Sequence, residues 1–282
     1  MRTILVPVDT TSTTENAVKL SADWAKQYGY EHIILLKTNN ESVFEYLHIA
    51  EGHSFVNEES INMVLKNTEE LLEKLSQIIL EKSPEIKVSK ATTDMSLIRS
   101  INDIIKNQEQ VELIILGSDD NTSVTDSFIS ENIIDIARTS PIKTLIVPNN
   151  YTYTPIRNIL IPCDVESIAK LDRLFHYKSI IHQKDIHLSL LNINKKANND
   201  VTDSKKEELE KYIQENLNDI PNSIHYSYDE NIINGILSFA SLNKTDLVIA
   251  LPGRHSFLYY LANRSISEGI YQNANQPVLI LK

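Results

Sequence analysis

The chain has 282 residues, of which 41% are hydrophobic and 23% charged, and its formal net charge is −11 at pH 7. Such an acidic protein is not expected to bind nucleic acid or an anionic membrane, because both attract basic surfaces. The single cysteine, Cys163, excludes an intramolecular disulfide and a metal site built from several cysteines. No apolar run approaches the ~18 residues that span a bilayer, and the chain starts directly on a strand pattern. We therefore expect a soluble, cytoplasmic protein.

The first half alternates short apolar strands with amphipathic helices. Strands are predicted at Ile4–Val8, His32–Leu36, Lys87–Ala91, Leu113–Leu116 and Thr144–Val147, and helices at Asn16–Tyr28, Ser60–Lys82, Ser96–Lys106 and Glu131–Arg138. A polar stretch, residues 39–59, interrupts this order after the second strand. It is long for a connection inside a compact domain, so we interpret it as a functional flap or as surface decoration.

The second half repeats this order without the flap. Strands are predicted at Asn158–Cys163, Ile186–Asn192, Ser223–Tyr228, Asp246–Ala250 and Pro277–Leu281, and helices at Ala169–His182, Ser204–Leu217, Ile232–Leu242 and Ser265–Gln272. The opening motif ILVPVD of the first half returns as ILIPCD in the second. This duplication predicts two domains, 1–148 and 156–282, joined by a linker at 149–155. The expected fold is α/β, with two tandem open parallel five-stranded sheets flanked by helices.

Ligands of open parallel sheets bind at the carboxyl ends of the strands, beside the point where strand order reverses. Those ends are Val8, Asp9, Thr38 and Gly117 in the first half and Pro162, Cys163, Asp164, Ile193 and Ala250 in the second. Asp9 and Asp164 each end a first strand and precede a helix. Each is therefore either a hydrogen-bond partner of a ligand or a helix N-cap. Cys163 is interpreted as an inert core thiol, because it falls within an apolar strand pattern.

These landmarks resemble the universal stress protein family in its tandem, two-domain form. The resemblance is carried by the opening strand Ile4–Asp9, the fourth strand ending in Gly117, the helix opening Ser265–Glu268 and the closing strand Val278–Leu281. It implies an adenine nucleotide alpha hydrolase-like fold, with ATP and Mg²⁺ as ligands. The ATP-binding members carry G-x-x-G, nine further residues, then G-S or G-T. Glycines there let the backbone approach phosphates, and the serine lies at a helix N-terminus that favours anions.

The first copy of this motif is degenerate. Gly117, Asp120, Ser130 and Glu131 stand at its spacing, so two carboxylates would face the phosphates. Two like charges about 4 Å apart at an effective dielectric of ~20 repel by roughly 4 kcal/mol, which is about three decades in affinity. A divalent cation bound by the acidic loop would reverse this effect. We expect a solvated acidic loop on a site that has lost its ligand.

The second copy keeps a cationic loop. The loop and the helix start that follows it comprise Ala250, Gly253, Arg254, Arg264, Ser265, Ile266 and Ser267. Here Gly253 and Arg254 match the end of G-x-x-G-R, whereas Arg264 replaces the glycine before the serine. The arginines and the serine would hold a phosphate through charge-assisted hydrogen bonds. Alternatively, Ser265 is only an N-cap and the arginines are solvated or paired elsewhere.

The leading functional prediction is a non-catalytic stress-response protein that holds an adenine nucleotide in its second half. The alternative is a nucleotide-free interaction scaffold, in which both sites have decayed and the flap contacts a protein partner. A weak ATPase comes third, because no residue pattern supplies a general base aimed at a γ-phosphate. The resemblance further implies that Thr144–Val147 and Val278–Leu281 pair across a pseudo-twofold axis, with a homodimer as a further implication. The histidine spacing suggests no metal site.

Overall fold

The computed structural model describes residues 1–39, 58–108, 110–119, 127–194, 202–251 and 275–282. The predicted helix Ser265–Gln272 and residues 40–57 of the flap lie outside this range. The described chain forms two compact units, the first comprising residues 1–119 and 127–140 and the second starting at Pro141. No helix in these ranges is long and apolar enough to cross a membrane. The second unit includes residues 143–148, which form the closing strand of the first half. The domain limits predicted from the duplication, 1–148 and 156–282, stay a prediction.

The first unit is a parallel sheet flanked by helices. Its elements are β1 (Thr3–Pro7), α1 (Ser12–Tyr28), β2 (His32–Thr38), α2 (Glu58–Lys82), β3 (Lys87–Thr93), α3 (Leu97–Asn107), β4 (Val111–Ser118) and α4 (Phe128–Thr139). The strand order is β3-β2-β1-β4, and all three pairings are parallel. Every residue of β1 and β2 is buried, as expected of parallel strands covered on both faces. Strand order reverses at β1, so its carboxyl end is the expected ligand side.

The helix after β1 ends at Tyr28 as predicted but begins at Ser12, four residues before the predicted start at Asn16. Thr11 is the N-cap of α1, and Gly29 ends the helix with a φ of 68°. Glycine adopts this left-handed conformation without steric penalty, which explains its use at the end of a helix. The inner face of α1 carries Trp24, which is fully buried and lies 4.3 Å from Tyr28 between ring centroids. Trp24 thereby anchors the helix over the sheet.

The second unit repeats this arrangement and adds two strands. Its elements are β5 (Lys143–Pro148), β6 (Asn158–Pro162), a 3₁₀ helix (Val165–Tyr177), α5 (Lys178–Ile181), β7 (His187–Asn194), α6 (Asp203–Asn216), β8 (Asn222–Tyr228), α7 (Ile232–Leu242), β9 (Leu247–Ala250) and β10 (Val278–Ile280). The order β8-β7-β6-β9 matches β3-β2-β1-β4 of the first unit, and these pairings are parallel. The α/β class, with a mostly parallel sheet flanked by helices, is confirmed.

The closing strands of the two halves are neighbours within the second unit. β10 pairs in parallel with β9 and antiparallel with β5, placing Val278 opposite Ile146 and Leu279 opposite Leu145. These four side chains are almost completely buried. The pairing that the resemblance implied for these strands is thus present, while a pseudo-twofold relation between the halves stays a prediction.

One segment that was predicted as an α-helix forms mainly a 3₁₀ helix in the structure. In place of an α-helix at Ala169–His182, the chain forms a 3₁₀ helix from Val165 to Tyr177 and then the short α5. The 3₁₀ segment contains a kink at Ser167, where φ is −137° and ψ is 38°. Runs of 3₁₀ helix of this length are uncommon and often mark functional or strained segments. The segment starts directly after Asp164, so its first turns lie at the ligand side of β6.

Candidate functional site

Asp9 follows β1, and its carboxylate accepts four hydrogen bonds from its own chain. Oδ1 accepts from the Thr11 backbone N–H at 2.9 Å, the Thr11 hydroxyl at 2.5 Å and the Thr14 hydroxyl at 2.7 Å. Oδ2 accepts from the Ser127 hydroxyl at 2.7 Å. The carboxylate thus accepts four hydrogen bonds, three on Oδ1 and one on Oδ2, and one lone pair of Oδ2 is not used by these donors. Asp9 is also not the N-cap of α1, because Thr11 occupies that position.

Ser127 links Asp9 to the start of α4. Its hydroxyl oxygen accepts the backbone N–H of Ser130 at 3.2 Å, which makes Ser127 the N-cap of that helix. The hydroxyl of Ser130 in turn accepts the backbone N–H of Asp119 at 3.0 Å. The Thr13 hydroxyl donates to Asp119 Oδ1 at 3.0 Å. The serine expected to meet a phosphate is therefore already engaged in an internal network joining α1, α4 and the end of β4.

This network sets the charge state of Asp9. Burial by itself would raise the pKa of this carboxyl group, since a buried carboxylate loses solvation. Hydrogen bonds from Ser127, Thr11 and Thr14 favour the charged form and outweigh burial, so the pKa lies below its ordinary value. Asp9 is consequently a buried carboxylate that remains ionised at neutral pH and has its partners within the protein.

The remaining predicted residues of the first site have structural roles or lie outside the described range. A Cβ placed on Gly117 would overlap the Thr13 carbonyl oxygen and lie 2.8 Å from the carbonyl carbon. This glycine is therefore required by the contact between β4 and α1. Val8 and Thr38 are buried. Asp120 lies outside the described residues, as does the side chain of Glu131, so the predicted repulsion of phosphate stays a prediction.

Asp164 holds the equivalent position in the second unit but is far less engaged. It is the N-cap of the 3₁₀ helix, and its Oδ1 accepts the backbone N–H of Glu166 at 3.0 Å. Within the described residues, its carboxylate accepts no other hydrogen bond. Asp164 is half-buried, in contrast to the fully buried Asp9. One carboxylate oxygen of Asp164 therefore remains available as an acceptor.

Asp164 opens onto a cleft between the carboxyl ends of β6 and β9 and the 3₁₀ helix. The cleft is shallow and open to solvent, with a volume of about 20 Å³, and is lined by Pro162, Cys163, Asp164, Ser167, Lys170, Leu171 and Leu251. Three predicted site residues, Pro162, Cys163 and Asp164, are brought together here. These three residues are consecutive at the end of β6, and Leu251 lines the cleft from the end of the neighbouring parallel strand β9.

Two other predicted residues do not line this cleft. Ile193 lies under α7, where a Cβ placed on Gly235 would be 2.7 Å from Ile193 Cδ1, and Ala250 is fully buried. The cationic loop residues Gly253, Arg254, Arg264, Ser265, Ile266 and Ser267 lie outside the described residues. Sequence reasoning missed Ser167, Lys170, Leu171 and Leu251. Lys170 could have been found by comparing the copies, because it follows Asp164 by the same offset as Glu15 follows Asp9 (170 − 164 and 15 − 9).

The environment of Cys163 agrees with the predicted inert thiol, although the residue comes after the apolar strand instead of within it. The residue follows β6, is half-buried and lines the cleft. Its backbone N–H donates to the Leu191 carbonyl at 2.9 Å, and its own carbonyl accepts from Asn192 Nδ2 at 3.1 Å. Burial raises the pKa of the thiol to about 12, and the negative charge of Asp164 acts in the same direction. The thiol is therefore protonated at neutral pH.

Cys163 is expected to react slowly with a disulfide reagent despite lining the cleft. A free cysteine has a pKa of about 8.5, so a pKa raised to about 12 lowers the thiolate fraction at pH 7.5 by roughly three decades. The reaction with an aromatic disulfide should be at least about a hundredfold slower in native than in urea-unfolded protein. Equal rates in the two states would contradict the assigned burial and charge environment.

The chain belongs to the universal stress protein family, since a sequence model of that family matches residues 1–148. Its structure is similar to a universal stress protein from Archaeoglobus fulgidus, with a TM-score of 0.69 at 16% identity over 99% of this chain and 98% of that one. It is also similar to a protein of unknown function from Pseudomonas aeruginosa, with a TM-score of 0.58 at 16% identity over 100% and 92% of the two chains. At such identities the likeness shows the fold alone. No curated protein matches the sequence.

Proposed function

We propose that this protein is a cytoplasmic, tandem-type, non-catalytic stress-response protein that binds an adenine nucleotide in its second unit. Membership of the universal stress protein family supports the stress-response role. We assign the nucleotide to the second unit because the two matched aspartates differ. Asp9 is buried and accepts four hydrogen bonds from Thr11, Thr14 and Ser127, whereas Asp164 accepts one backbone hydrogen bond and lines an open cleft.

The residues around the second cleft fit a nucleoside. The cleft itself is shallow, with a volume of about 20 Å³, so a bound nucleoside would lie across its rim. The available oxygen of Asp164 can accept a ribose hydroxyl, and Leu171 and Leu251 offer apolar contact to a base. ATP with Mg²⁺ is the ligand that the family resemblance suggests, and the sequence places Arg254, Arg264 and Ser265 in the loop that would meet its phosphates. These loop contacts are an expectation from the sequence.

We propose binding without turnover. The carboxylate that lines the cleft, Asp164, caps the 3₁₀ helix through the Glu166 N–H. That bond orients the carboxylate as a fixed acceptor for a hydroxyl group, a role in positioning rather than in proton transfer. Release of inorganic phosphate from ATP, measured over hours with the same preparation, tests the weak-ATPase alternative.

Replacing Asp164 by alanine should weaken ATP binding about ten- to hundredfold, because a hydrogen bond to a charged group contributes about 1.5–3 kcal/mol. The measurement is calorimetric titration of the full chain with ATP and Mg²⁺. Asp203→Ala is the matched control, since its side chain is 95% exposed on α6 of the same unit, and this variant should bind as the wild type does. Unchanged affinity in Asp164→Ala would reject the site assignment.

The second candidate function is a nucleotide-free interaction scaffold. The first unit favours it, because Asp9 in its matched site is buried and already accepts four internal hydrogen bonds. In that case the second site has decayed too, and residues 39–59 contact a protein partner. Mass spectrometry of small molecules released from the denatured protein, together with the titration, decides between the two. Homodimer formation is a separate proposal, tested by light scattering.

A further inference from the structure

We propose that Lys170 is an anion-binding residue, and that the ligand of the second cleft carries a hydroxyl group for Asp164 and an anionic group for Lys170. The inference rests on the proposed function in that it concerns the same cleft. It adds a residue that the phosphate-motif comparison does not include. It also specifies the chemistry of the ligand from side chains within the described part of the chain.

Lys170 is a cation without a protein partner in the described part of the chain. It is half-buried on the 3₁₀ helix and lines the cleft together with Asp164. Its ammonium group is not within ion-pair distance of Asp164 or of any other described carboxylate. By contrast, Lys205 and Lys206 of the same unit lie within 4 Å of acidic partners. A cation and a carboxylate that face one cleft without touching leave room for a ligand between them.

The first unit provides an internal comparison, because Glu15 occupies the matched position after Asp9. Its carboxylate accepts from Lys19 Nζ at 2.8 Å and from Lys74 Nζ at 3.0 Å. These hydrogen bonds, with that from Lys19 first, hold the pKa of Glu15 below its ordinary value. The charge at this position is therefore negative and neutralised in the first unit. In the second unit it is positive and unneutralised within the described residues.

The two polar groups of the cleft define complementary ligand chemistry. Asp164 has an oxygen that accepts a hydrogen bond, so it selects a hydroxyl or amino donor. Lys170 is a compact point charge with three donors, which suits a phosphate group. A molecule that satisfies both is a phosphorylated sugar or nucleoside. An uncharged nucleoside would satisfy Asp164 alone.

The experiment compares ATP with adenosine, titrated calorimetrically into the full-length wild type, Lys170→Met, Lys170→Arg and the control Lys184→Met. Methionine removes the charge while keeping an unbranched stem, and Lys184 is an exposed lysine of the same unit. Lys170→Met should weaken ATP binding about tenfold or more and leave adenosine binding unchanged, since the lost interaction involves only the anionic group. Lys170→Arg should stay within about threefold of wild type, and Lys184→Met should match it.

Unchanged ATP affinity in Lys170→Met, or an equal loss for ATP and adenosine, would overturn the proposal while leaving nucleotide binding intact. If the wild type binds neither compound, the proposed function fails by itself. Titration with pyrophosphate then tests whether Lys170 binds an anion. Pyrophosphate binding that is lost in Lys170→Met and kept in Lys184→Met supports an anion site. If the wild type does not bind pyrophosphate, or if Lys170→Met binds it with unchanged affinity, the proposal is overturned. Thermal melts of every variant verify that the fold is retained.

Discussion

Asp9→Ala should lower the stability of the first unit by about 3 kcal/mol or more. The substitution leaves the hydroxyls of Ser127, Thr11 and Thr14 without their acceptor, and each buried unsatisfied group costs about 1–3 kcal/mol. It also removes the bond through which Ser127 connects α4 to β1. The chain contains one tryptophan, the buried Trp24 of α1, so tryptophan fluorescence during urea unfolding reports on this unit.

The matched control is Asp164→Ala, the same substitution at the duplicated position. It removes one N-cap hydrogen bond, to the Glu166 N–H, and should cost about 1 kcal/mol by circular dichroism. A loss in Asp9→Ala no larger than that in Asp164→Ala would show that the Asp9 network does not stabilise the fold. The comparison separates the role of the network from the general effect of removing an aspartate after a strand.

The same network predicts an acid dependence. The pKa of Asp9 is lowered in the folded state, so its contribution is fully present above the unfolded pKa of about 3.9 and is lost as the pH falls through the lowered folded value. The Trp24 transition of the wild type should therefore lose stability below about pH 4. Asp9→Asn should be less stable at pH 7 and flatter over the acid range. Parallel acid profiles for the two proteins would contradict the lowered pKa.

Gly117→Ala should destabilise the first unit by about 2–3 kcal/mol, at the upper end of the usual range for overpacking. The added Cβ would overlap the Thr13 carbonyl oxygen, and a backbone atom at the start of α1 cannot rotate away as a side chain can. The Trp24 fluorescence transition in urea measures the loss. A Gly117→Ala protein as stable as the wild type would show that β4 and α1 are not packed this closely.

Gly235→Ala is the control for Gly117→Ala. Its added Cβ would lie 2.7 Å from Ile193 Cδ1, the end of a flexible side chain, and 2.9 Å from Asp229 Cβ in the turn before α7. Replacing a helical glycine by alanine also favours the helix by about 1 kcal/mol. Asp229 Cβ is fixed by its backbone, so the helix gain offsets only part of the cost. The loss should therefore be smaller than that of Gly117→Ala, measured by circular dichroism of the full chain.

Local sequence patterns predicted most of the strands and helices in the described residues correctly. β1, β2 and β6 appear as continuous apolar runs because strands buried on both faces need apolar side chains at every position. α1 appears as a helical period that ends at Gly29, where only glycine adopts the left-handed backbone freely. The 3₁₀ helix after Asp164 was predicted as an α-helix because both helix types favour similar residues and differ in their hydrogen-bond geometry.

The sequence predicted where the candidate site lies but not which hydrogen bonds its residues make. Pro162, Cys163 and Asp164 are consecutive residues at the end of β6, and the order of elements predicted that this edge of the sheet carries the site. The sequence makes Asp9 and Asp164 look alike, since both follow the same apolar motif. They differ because Ser127, far along the chain, reaches Asp9, while Asp164 faces a cleft with Lys170. Three of the four hydrogen bonds to Asp9 come from the nearby Thr11 and Thr14, whose matched positions after Asp164 are Glu166 and Ala169. Only the bond from Ser127 depends on tertiary packing, because packing alone brings residues 118 positions apart within bonding distance.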